Sequence, residues 1–104
     1  MADHISVTVE NRVLSIRMDR LEKKNALTRA MYVAMADGLR QADADTKVRA
    51  ILITGTADCF TAGNDLVDFA NAVPGEASPA IAFLQTLAAA QKPVVAAVDR
   101  KSVV

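Results

Sequence analysis

The residues best suited to chemistry lie in the stretch 59–66, Cys-Phe-Thr-Ala-Gly-Asn-Asp-Leu. This stretch follows an apolar run, residues 50–55, that predicts a buried strand, and it opens a predicted short helix. A glycine-containing turn at such a junction presents backbone N–H groups that suit an anion or a developing oxyanion. We therefore predict that the main-chain N–H of Asn64 carries the chemistry, with Gly63 letting a ligand approach closely. Many similar junctions in α/β proteins bind nothing, so a purely structural turn stays open as the alternative.

Side-chain chemistry has few candidates in this sequence. His4 is the only histidine and Cys59 the only cysteine, which disfavours a metal site, a thiol nucleophile and a Ser–His–Asp triad. Cys59 is predicted to be a small buried residue, and the segment 54–60 lacks the further glycines of a dinucleotide-binding fingerprint. Asp65 and Asp68 are the remaining acid–base candidates, but Asp65 better fits a helix cap and neither has a desolvating context.

A charged loop, residues 19–25, carries three cations within five positions: Arg20, Lys23 and Lys24. One interpretation is a solvated turn without a ligand. The other is an edge that binds a ligand phosphate, because Arg and Lys on loops are common phosphate partners. The residues alone leave both interpretations open.

Composition limits the class of protein. A chain of 104 residues holds one domain. Hydrophobic residues make up 52% of the chain and come mostly from Ala and Val, whereas aromatic residues make up only 4% of it. Twelve basic and twelve acidic residues give zero net charge, so nothing indicates a nucleic-acid partner. No apolar run approaches the ~20 residues of a membrane span. A polar start and a single cysteine favour a cytoplasmic location without a signal peptide or internal disulfide.

The hydrophobic pattern predicts an α/β domain in the order hairpin, helix, strand, turn–helix, helix, strand. Apolar residues alternate with polar ones over 5–9 and 14–18, around a turn at 11–12, as in a β-hairpin. Thr28 is a predicted N-cap, and the spacing of apolar residues predicts an amphipathic helix over 29–43.

Two later segments, 48–54 and 94–98, are apolar throughout and predict strands buried on both faces of a parallel sheet. Between them, Ser78 as N-cap and Pro79 at the first helical position predict the start of a helix. The segment 92–93, Lys-Pro, ends it. Its predicted apolar stripe consists of Ile81, Leu84, Leu87 and Ala88.

Three motifs stand in a specific order and spacing: Lys-Asn-Ala-Leu at 24–27, Phe-Thr-Ala-Gly-Asn-Asp-Leu at 60–66, and Lys-Pro-Val-Val-Ala-Ala-Val at 92–98. With them, the chain from about Ile5 to Val98 resembles the enoyl-CoA hydratase/isomerase (crotonase) family. The resemblance implies a ClpP/crotonase-like spiral of ββα units and an acyl-CoA thioester substrate. Coenzyme A is then part of the substrate, and no separate cofactor or metal is implied. The segment 63–66 with Phe69 is most similar to the Δ3,Δ2-enoyl-CoA isomerase branch.

The resemblance also implies roles for individual residues. The N–H of Asn64 donates to the thioester oxygen and holds the enolate that forms when an α-proton is removed. The carbonyl of Ala62 and the backbone near Ala26 meet the adenine and pantetheine, and Lys23 or Lys24 approaches the phosphates. The full substrate-binding set implied is Lys23, Lys24, Ala26, Ala62, Gly63, Asn64, Asp65 and Leu66.

The sequence departs from the family after residue 98. There the family continues with Asn-Gly and a glycine-rich turn that supplies a second oxyanion donor, whereas this chain has Asp-Arg-Lys-Ser-Val-Val at 99–104. We therefore expect residues 1–98 to be the N-terminal portion of an acyl-CoA-binding domain, truncated after the strand at 94–98, with an atypical tail at 99–104. The second donor, the catalytic carboxylates and the helices of the family's homotrimer or hexamer are expected to be missing. The alternative is a non-catalytic acyl-CoA-binding or interaction fragment.

Overall fold

A computed structural model describes residues 4–56, 59–71, 75 and 77–98. Its four strands form one sheet in the order β1-β2-β3-β4, with β1 antiparallel to β2 and the other two neighbouring pairs parallel. This architecture confirms the predicted α/β class and the predicted order of elements. The elements are β1 (Ile5–Glu10), β2 (Val13–Met18), a 3₁₀ turn (Leu21–Lys23), α1 (Arg29–Ala44), β3 (Ala50–Thr54), α2 (Leu66–Ala70), α3 (Pro79–Ala88) and β4 (Val94–Ala97).

The predicted hairpin is present, and β1 and β2 are joined by Asn11 and Arg12. Both residues have positive φ, 52° and 66°, which is the backbone of a two-residue turn that matches the twist of the flanking strands. The hairpin brings Ile5 and Ile16 into the core while leaving the end of β1 exposed.

The long helix α1 forms because its apolar residues share one face and its first turn is capped. The Thr28 hydroxyl accepts a hydrogen bond from the Met31 N–H at 3.1 Å, which confirms the predicted N-cap. Gly38 lets the helix lie close to the sheet, since a Cβ there would be 3.0 Å from the Ile16 side chain. The buried face of the helix consists of Met31, Met35, Ala36, Gly38, Leu39 and Ala42.

The core lies between α1 and one face of the sheet, where Leu14, Ile16, Ile51 and Ile53 are buried. The prediction that β3 is buried on both faces is wrong, because its residues alternate between buried and half-buried. The prediction for the last strand is also wrong, because β4 is at the edge and Val95 is 56% exposed. An apolar run predicts a strand, but it does not specify which other elements cover each face of that strand.

The start of α3 is as predicted, with the Ser78 hydroxyl accepting from the Ile81 N–H at 3.4 Å and Pro79 at the first helical position. The predicted stripe is largely wrong: Leu87 packs against the core, but Ile81 and Leu84 are 54% and 55% exposed, and Ala88 is exposed as well. The reason is that α3 packs beside α1 through Phe83, the largest apolar side chain of the helix and its one buried residue.

Lys92, predicted only to help end α3, makes a specific contact elsewhere. Its ammonium group donates to the carbonyls of Ala42 and Asp45 at the end of α1. A cation at this position interacts favourably with the carbonyl groups at the C-terminal end of a helix. The neighbouring Pro93 carbonyl accepts from the Ile51 N–H at 2.9 Å, which starts the pairing of β4 with β3. The predicted tail at 99–104 and most of the predicted loop at 72–77 lie outside the described residues.

Candidate active site

The two loops that the sequence singled out, residues 24–27 and 62–65, run side by side in a short parallel pairing. Three backbone hydrogen bonds join them: Ala62 N–H to the Lys24 carbonyl at 3.0 Å, Leu27 N–H to the Gly63 carbonyl at 2.7 Å, and Asp65 N–H to the Leu27 carbonyl at 2.9 Å. The motifs at 24–27 and 60–66 are therefore parts of one site, although they are separated by α1 and β3.

This pairing fixes the direction of the Asn64 N–H. The Gly63 carbonyl points towards Leu27, and in a trans peptide the following N–H points the opposite way, so the Asn64 N–H faces away from Leu27. None of the described residues accepts a hydrogen bond from it. Gly63 has φ +96°, and a Cβ there would meet nothing within 4 Å. The predicted donor thus belongs to an exposed residue and follows a glycine that has no side chain to cover it.

Asp65 is the N-cap of α2, as predicted. Its Oδ1 accepts from the Asp68 N–H at 2.9 Å, and its Oδ2 accepts from the Arg20 guanidinium at 2.7 Å. The Asp68 N–H, and after it Arg20, hold the pKa of Asp65 below its ordinary value. Because α2 has only five residues, its dipole adds little here, and the predicted helix-terminus field is weaker than the sequence suggested.

Asp68, the second acid–base candidate, is also engaged. Its Oδ2 accepts from the Arg29 N–H at 2.8 Å and from the Arg29 Nε at 3.1 Å. The pair ties the beginning of α1 to α2. Both carboxylates next to the site therefore hold structure together.

Asn25 is the residue of this site that the sequence analysis missed. Its side chain is fully buried; Oδ1 accepts from the Arg20 N–H at 2.6 Å, and Nδ2 donates to the Cys59 carbonyl at 2.8 Å. The same Nδ2 lies 3.2 Å from the Thr56 hydroxyl and 3.2 Å from the Phe60 carbonyl. One amide thus joins the charged loop to the loop that precedes Gly63. A left-handed backbone, φ 56°, is a conformation that Asn tolerates, and an Asn at the end of a charged loop is the signal that was available.

The cations of the charged loop divide into two kinds. Arg20 is directed inward, because its guanidinium donates to the Ala26 carbonyl at 3.0 Å as well as to Asp65. Lys23 and Lys24 are exposed, and Lys23 lines an open cleft of about 310 Å³ together with Arg20, Thr28, Asp65, Val67, Asp68 and Asn71. Arg20 therefore stabilises the loop through hydrogen bonds within the protein, whereas the two lysine side chains lie at the surface.

The backbone of the other predicted binding residues is partly occupied. The Ala26 N–H donates to the Lys23 carbonyl and the Ala26 carbonyl accepts from Arg20, so both polar groups of Ala26 are used within the protein. The Ala62 N–H is also used, whereas no described residue donates to the Ala62 carbonyl. Leu66 is exposed at the start of α2. Cys59 is buried, as predicted, with its thiol 3.2 Å from the Lys24 carbonyl.

Two further properties belong to the part of the chain that the structure describes. His, Cys, Asp and Glu side chains there do not gather in groups of three or more that could hold a metal ion. Within the same ranges, every helix is too short or too polar to cross a membrane.

The Arg20–Asp65 ion pair predicts a dependence of stability on pH. The folded-state pKa of Asp65 is lowered, so its contribution is present above the unfolded pKa of about 3.9 and is lost as the pH falls through the folded-state pKa. Asp65→Asn keeps a capping oxygen but removes the charge. We expect the wild type to be more stable than this variant at pH 7, with a difference that shrinks below about pH 4. Urea unfolding at several pH values measures it.

The matched control for this experiment is Asp37→Asn. Asp37 pairs with Arg40 at 3.4 Å, but both side chains are more than half exposed, so the effect of this substitution should be small at every pH. An Asp65→Asn effect that is the same at pH 7 and pH 3 would show that charge at Asp65 does not stabilise the fold.

Comparisons with known proteins identify the family of the chain and support its fold. A family model described as Enoyl-CoA hydratase/isomerase matches residues 8–103. The chain therefore belongs to the enoyl-CoA hydratase/isomerase family, and the resemblance deduced from its three motifs is confirmed.

Two relatives illustrate the range of proteins to which the chain is similar. The 1,2-epoxyphenylacetyl-CoA isomerase of Escherichia coli K12 is 31% identical over 108 residues, covering 95% of this chain and 41% of that protein. The mitochondrial Δ(3,5)-Δ(2,4)-dienoyl-CoA isomerase of Rattus norvegicus is 32% identical over 91 residues, covering 80% of this chain and 28% of that protein. The chain thus spans less than half the length of these relatives.

Solved structures give the same result for the fold. Pseudomonas aeruginosa OdaA is 50% identical with a TM-score of 0.87, over 93% of this chain and 40% of that one. The enoyl-CoA hydratase/isomerase of Pseudoalteromonas atlantica T6c is 43% identical with a TM-score of 0.85, over 92% and 39% respectively. The predicted crotonase-like fold is confirmed for the region that the chain covers.

Proposed function

We propose that this chain binds an acyl-CoA thioester and that the Asn64 N–H donates to its thioester oxygen. The observation that carries the proposal is this N–H, which belongs to an exposed residue, points away from Leu27 and has no acceptor among the described residues. Removal of an α-proton would move negative charge onto that oxygen, and a preorganised donor stabilises such an oxyanion by about 3 kcal/mol. The family membership and the names of both relatives, which are acyl-CoA isomerases, support this substrate class.

The rest of the proposed binding set includes exposed side chains and backbone groups that the described residues do not use. The exposed side chains of Lys23 and Lys24 are free to meet phosphates, and the Ala62 carbonyl is free to meet a donor of the coenzyme. The Ala26 backbone is used internally, so contact there would be through van der Waals packing. Three expectations stay predictions. They are that the chemistry needs no separate cofactor, that the protein is cytoplasmic, and that the complete family fold forms a homotrimer or hexamer.

Hydratase or isomerase turnover is the first candidate activity, and acyl-CoA binding without turnover is the second. The second is favoured by one observation: Asp65 and Asp68 are both committed to caps and ion pairs. Proton transfer by a positioned group contributes about 100-fold or more to rate, so a chain with the oxyanion donor alone would bind substrate and turn it over poorly.

Asn64→Pro tests the proposed donor because proline has no backbone N–H. We expect the wild type to bind acetoacetyl-CoA in isothermal titration calorimetry and the proline variant to bind about tenfold more weakly, the equivalent of about 1.4 kcal/mol for one lost hydrogen bond. Asn64→Ala is the matched control, since it keeps the N–H and removes the side chain; its affinity should stay within about threefold of the wild type. Equal binding by the proline and alanine variants would refute the assignment.

Folding of the proline variant must be verified by its circular dichroism melt. If it does not fold, an ester in place of the 63–64 amide removes the N–H without adding a ring. The single cysteine, Cys59, provides a ligation site for joining a synthetic segment that carries this ester. The first candidate activity is supported if the chain turns over crotonyl-CoA or a 3-enoyl-CoA and this turnover is lost when the N–H is removed. Binding of acyl-CoA without any turnover supports the second candidate, a non-catalytic binding protein.

A further inference from the structure

The phenol of Tyr32 reaches from α1 to the proposed donor residue. Its hydroxyl donates to the Asn64 Oδ1 at 2.5 Å. The ring is half-buried and held by two aromatic neighbours, Phe69 at 6.3 Å in an edge-on arrangement and Phe83 at 5.6 Å. Contacts from α2 and α3 thus fix the ring independently of its hydroxyl.

The Asn64 amide oxygen has a competing use nearby. An Asn side chain readily accepts from the backbone N–H two residues further along the chain, and this local bond competes with other arrangements of the turn. Here that donor is the Leu66 N–H, which has no acceptor among the described residues. An Asn64 side chain that made this local bond would leave the Tyr32 hydroxyl and lie against the turn that carries its own N–H.

We propose that Tyr32 is a positioning residue, whose hydroxyl holds the Asn64 side chain away from the turn and so keeps the Asn64 N–H accessible to a thioester oxygen. This inference rests on the proposed function of Asn64. Burial raises the pKa of Tyr32, so the phenol stays a hydrogen-bond donor throughout the neutral range. The bond lies at the surface, so its loss should affect the site more than the fold.

A cycle of four proteins separates positioning from mere packing: the wild type, Tyr32→Phe, Asn64→Ala and the double variant. Tyr32→Phe keeps the ring and its aromatic contacts. We expect it to weaken acetoacetyl-CoA binding by roughly threefold to tenfold, as for one neutral hydrogen bond. In the double variant there is no amide side chain left to misplace, so its affinity should return to that of Asn64→Ala. A loss that persists in the double variant, or no loss in Tyr32→Phe, overturns the proposal.

A second measurement needs no ligand and therefore decides the matter even if the wild type does not bind acetoacetyl-CoA. Solvent exchange of the Leu66 amide is followed by NMR on ¹⁵N-labelled protein. With Tyr32→Phe, the released Asn64 oxygen should capture this N–H and slow its exchange roughly threefold to tenfold. The double variant should restore the wild-type rate. Unchanged exchange in Tyr32→Phe would overturn the positioning role, whereas absent ligand binding in the wild type would overturn only the proposed function.

Discussion

Replacing Gly55 with alanine is expected to lower the free energy of unfolding by about 3 kcal/mol or more. A Cβ at this position would lie 2.2 Å from the Cys59 carbonyl oxygen and 2.5 Å from both the Cα and the carbonyl oxygen of Phe60. These are main-chain atoms, so no side-chain rotation relieves the overlap. The loop that leads to Gly63 would have to move, and the melting temperature should fall by about 12 °C or more. Circular dichroism melts measure this effect, and acetoacetyl-CoA titrations measure the accompanying loss of binding.

Gly38→Ala is the matched control because it makes the same chemical change in a different environment. Its Cβ would lie 3.0 Å from the Ile16 Cδ1, the flexible end of a side chain, and alanine stabilises a helix interior relative to glycine by about 1 kcal/mol. The two effects oppose each other, so the melting temperature should change little. If Gly55→Ala melts as close to the wild type as Gly38→Ala does, the close approach at Gly55 is not needed.

Asn25→Ala is expected to destabilise the protein by about 3 kcal/mol, because buried polar groups lose their partners. The groups concerned are the Arg20 N–H and the Cys59 carbonyl, which bond to the two ends of the Asn25 amide. Alanine also tolerates the left-handed backbone of this residue, φ 56°, less well than asparagine does. The binding of acetoacetyl-CoA should weaken as well, since the amide positions the loop that carries Gly63.

Two further substitutions separate the causes. Asn25→Gly loses the same amide but accepts the positive φ, so it should be less destabilising than the alanine variant by about 1 kcal/mol. Asn25→Asp keeps the acceptor for the Arg20 N–H but places a carboxylate oxygen against the Cys59 carbonyl, so it should be at least as destabilising as alanine. Urea unfolding at pH 7 ranks the three variants. If the free energy of unfolding of Asn25→Ala lies within about 0.5 kcal/mol of the wild-type value, the buried network is dispensable.

The sequence predicted most of what depends on local pattern. The caps at Thr28, Asp65 and Ser78 were identified because each is a short polar side chain directly before an apolar helical period. The buried face of α1 followed from its spacing, and the parallel sheet followed from two apolar runs separated by helices. The motifs at 24–27, 60–66 and 92–98 sufficed for the family, because together they are far more specific than any one of them.

What could not be predicted depends on contacts between distant parts of the chain. Nothing local distinguishes Arg20, whose guanidinium is directed to Asp65, from Lys23, whose side chain is exposed. The role of Asn25 depends on carbonyls 34 and 35 residues further along the chain. The face of α3 was misjudged because its orientation is set by Phe83 against α1, and the exposure of β4 was misjudged because it depends on which neighbours cover the sheet.

The hydrogen bond between Tyr32 and Asn64 has a practical consequence for spectroscopy. The chain contains one tyrosine and no tryptophan, so its intrinsic fluorescence originates almost entirely from the phenol that contacts Asn64. In most proteins such emission averages over many surroundings, but here it is a local signal from the proposed site. The native chain therefore carries its own optical probe, and rearrangements around Asn64 can be followed without a label.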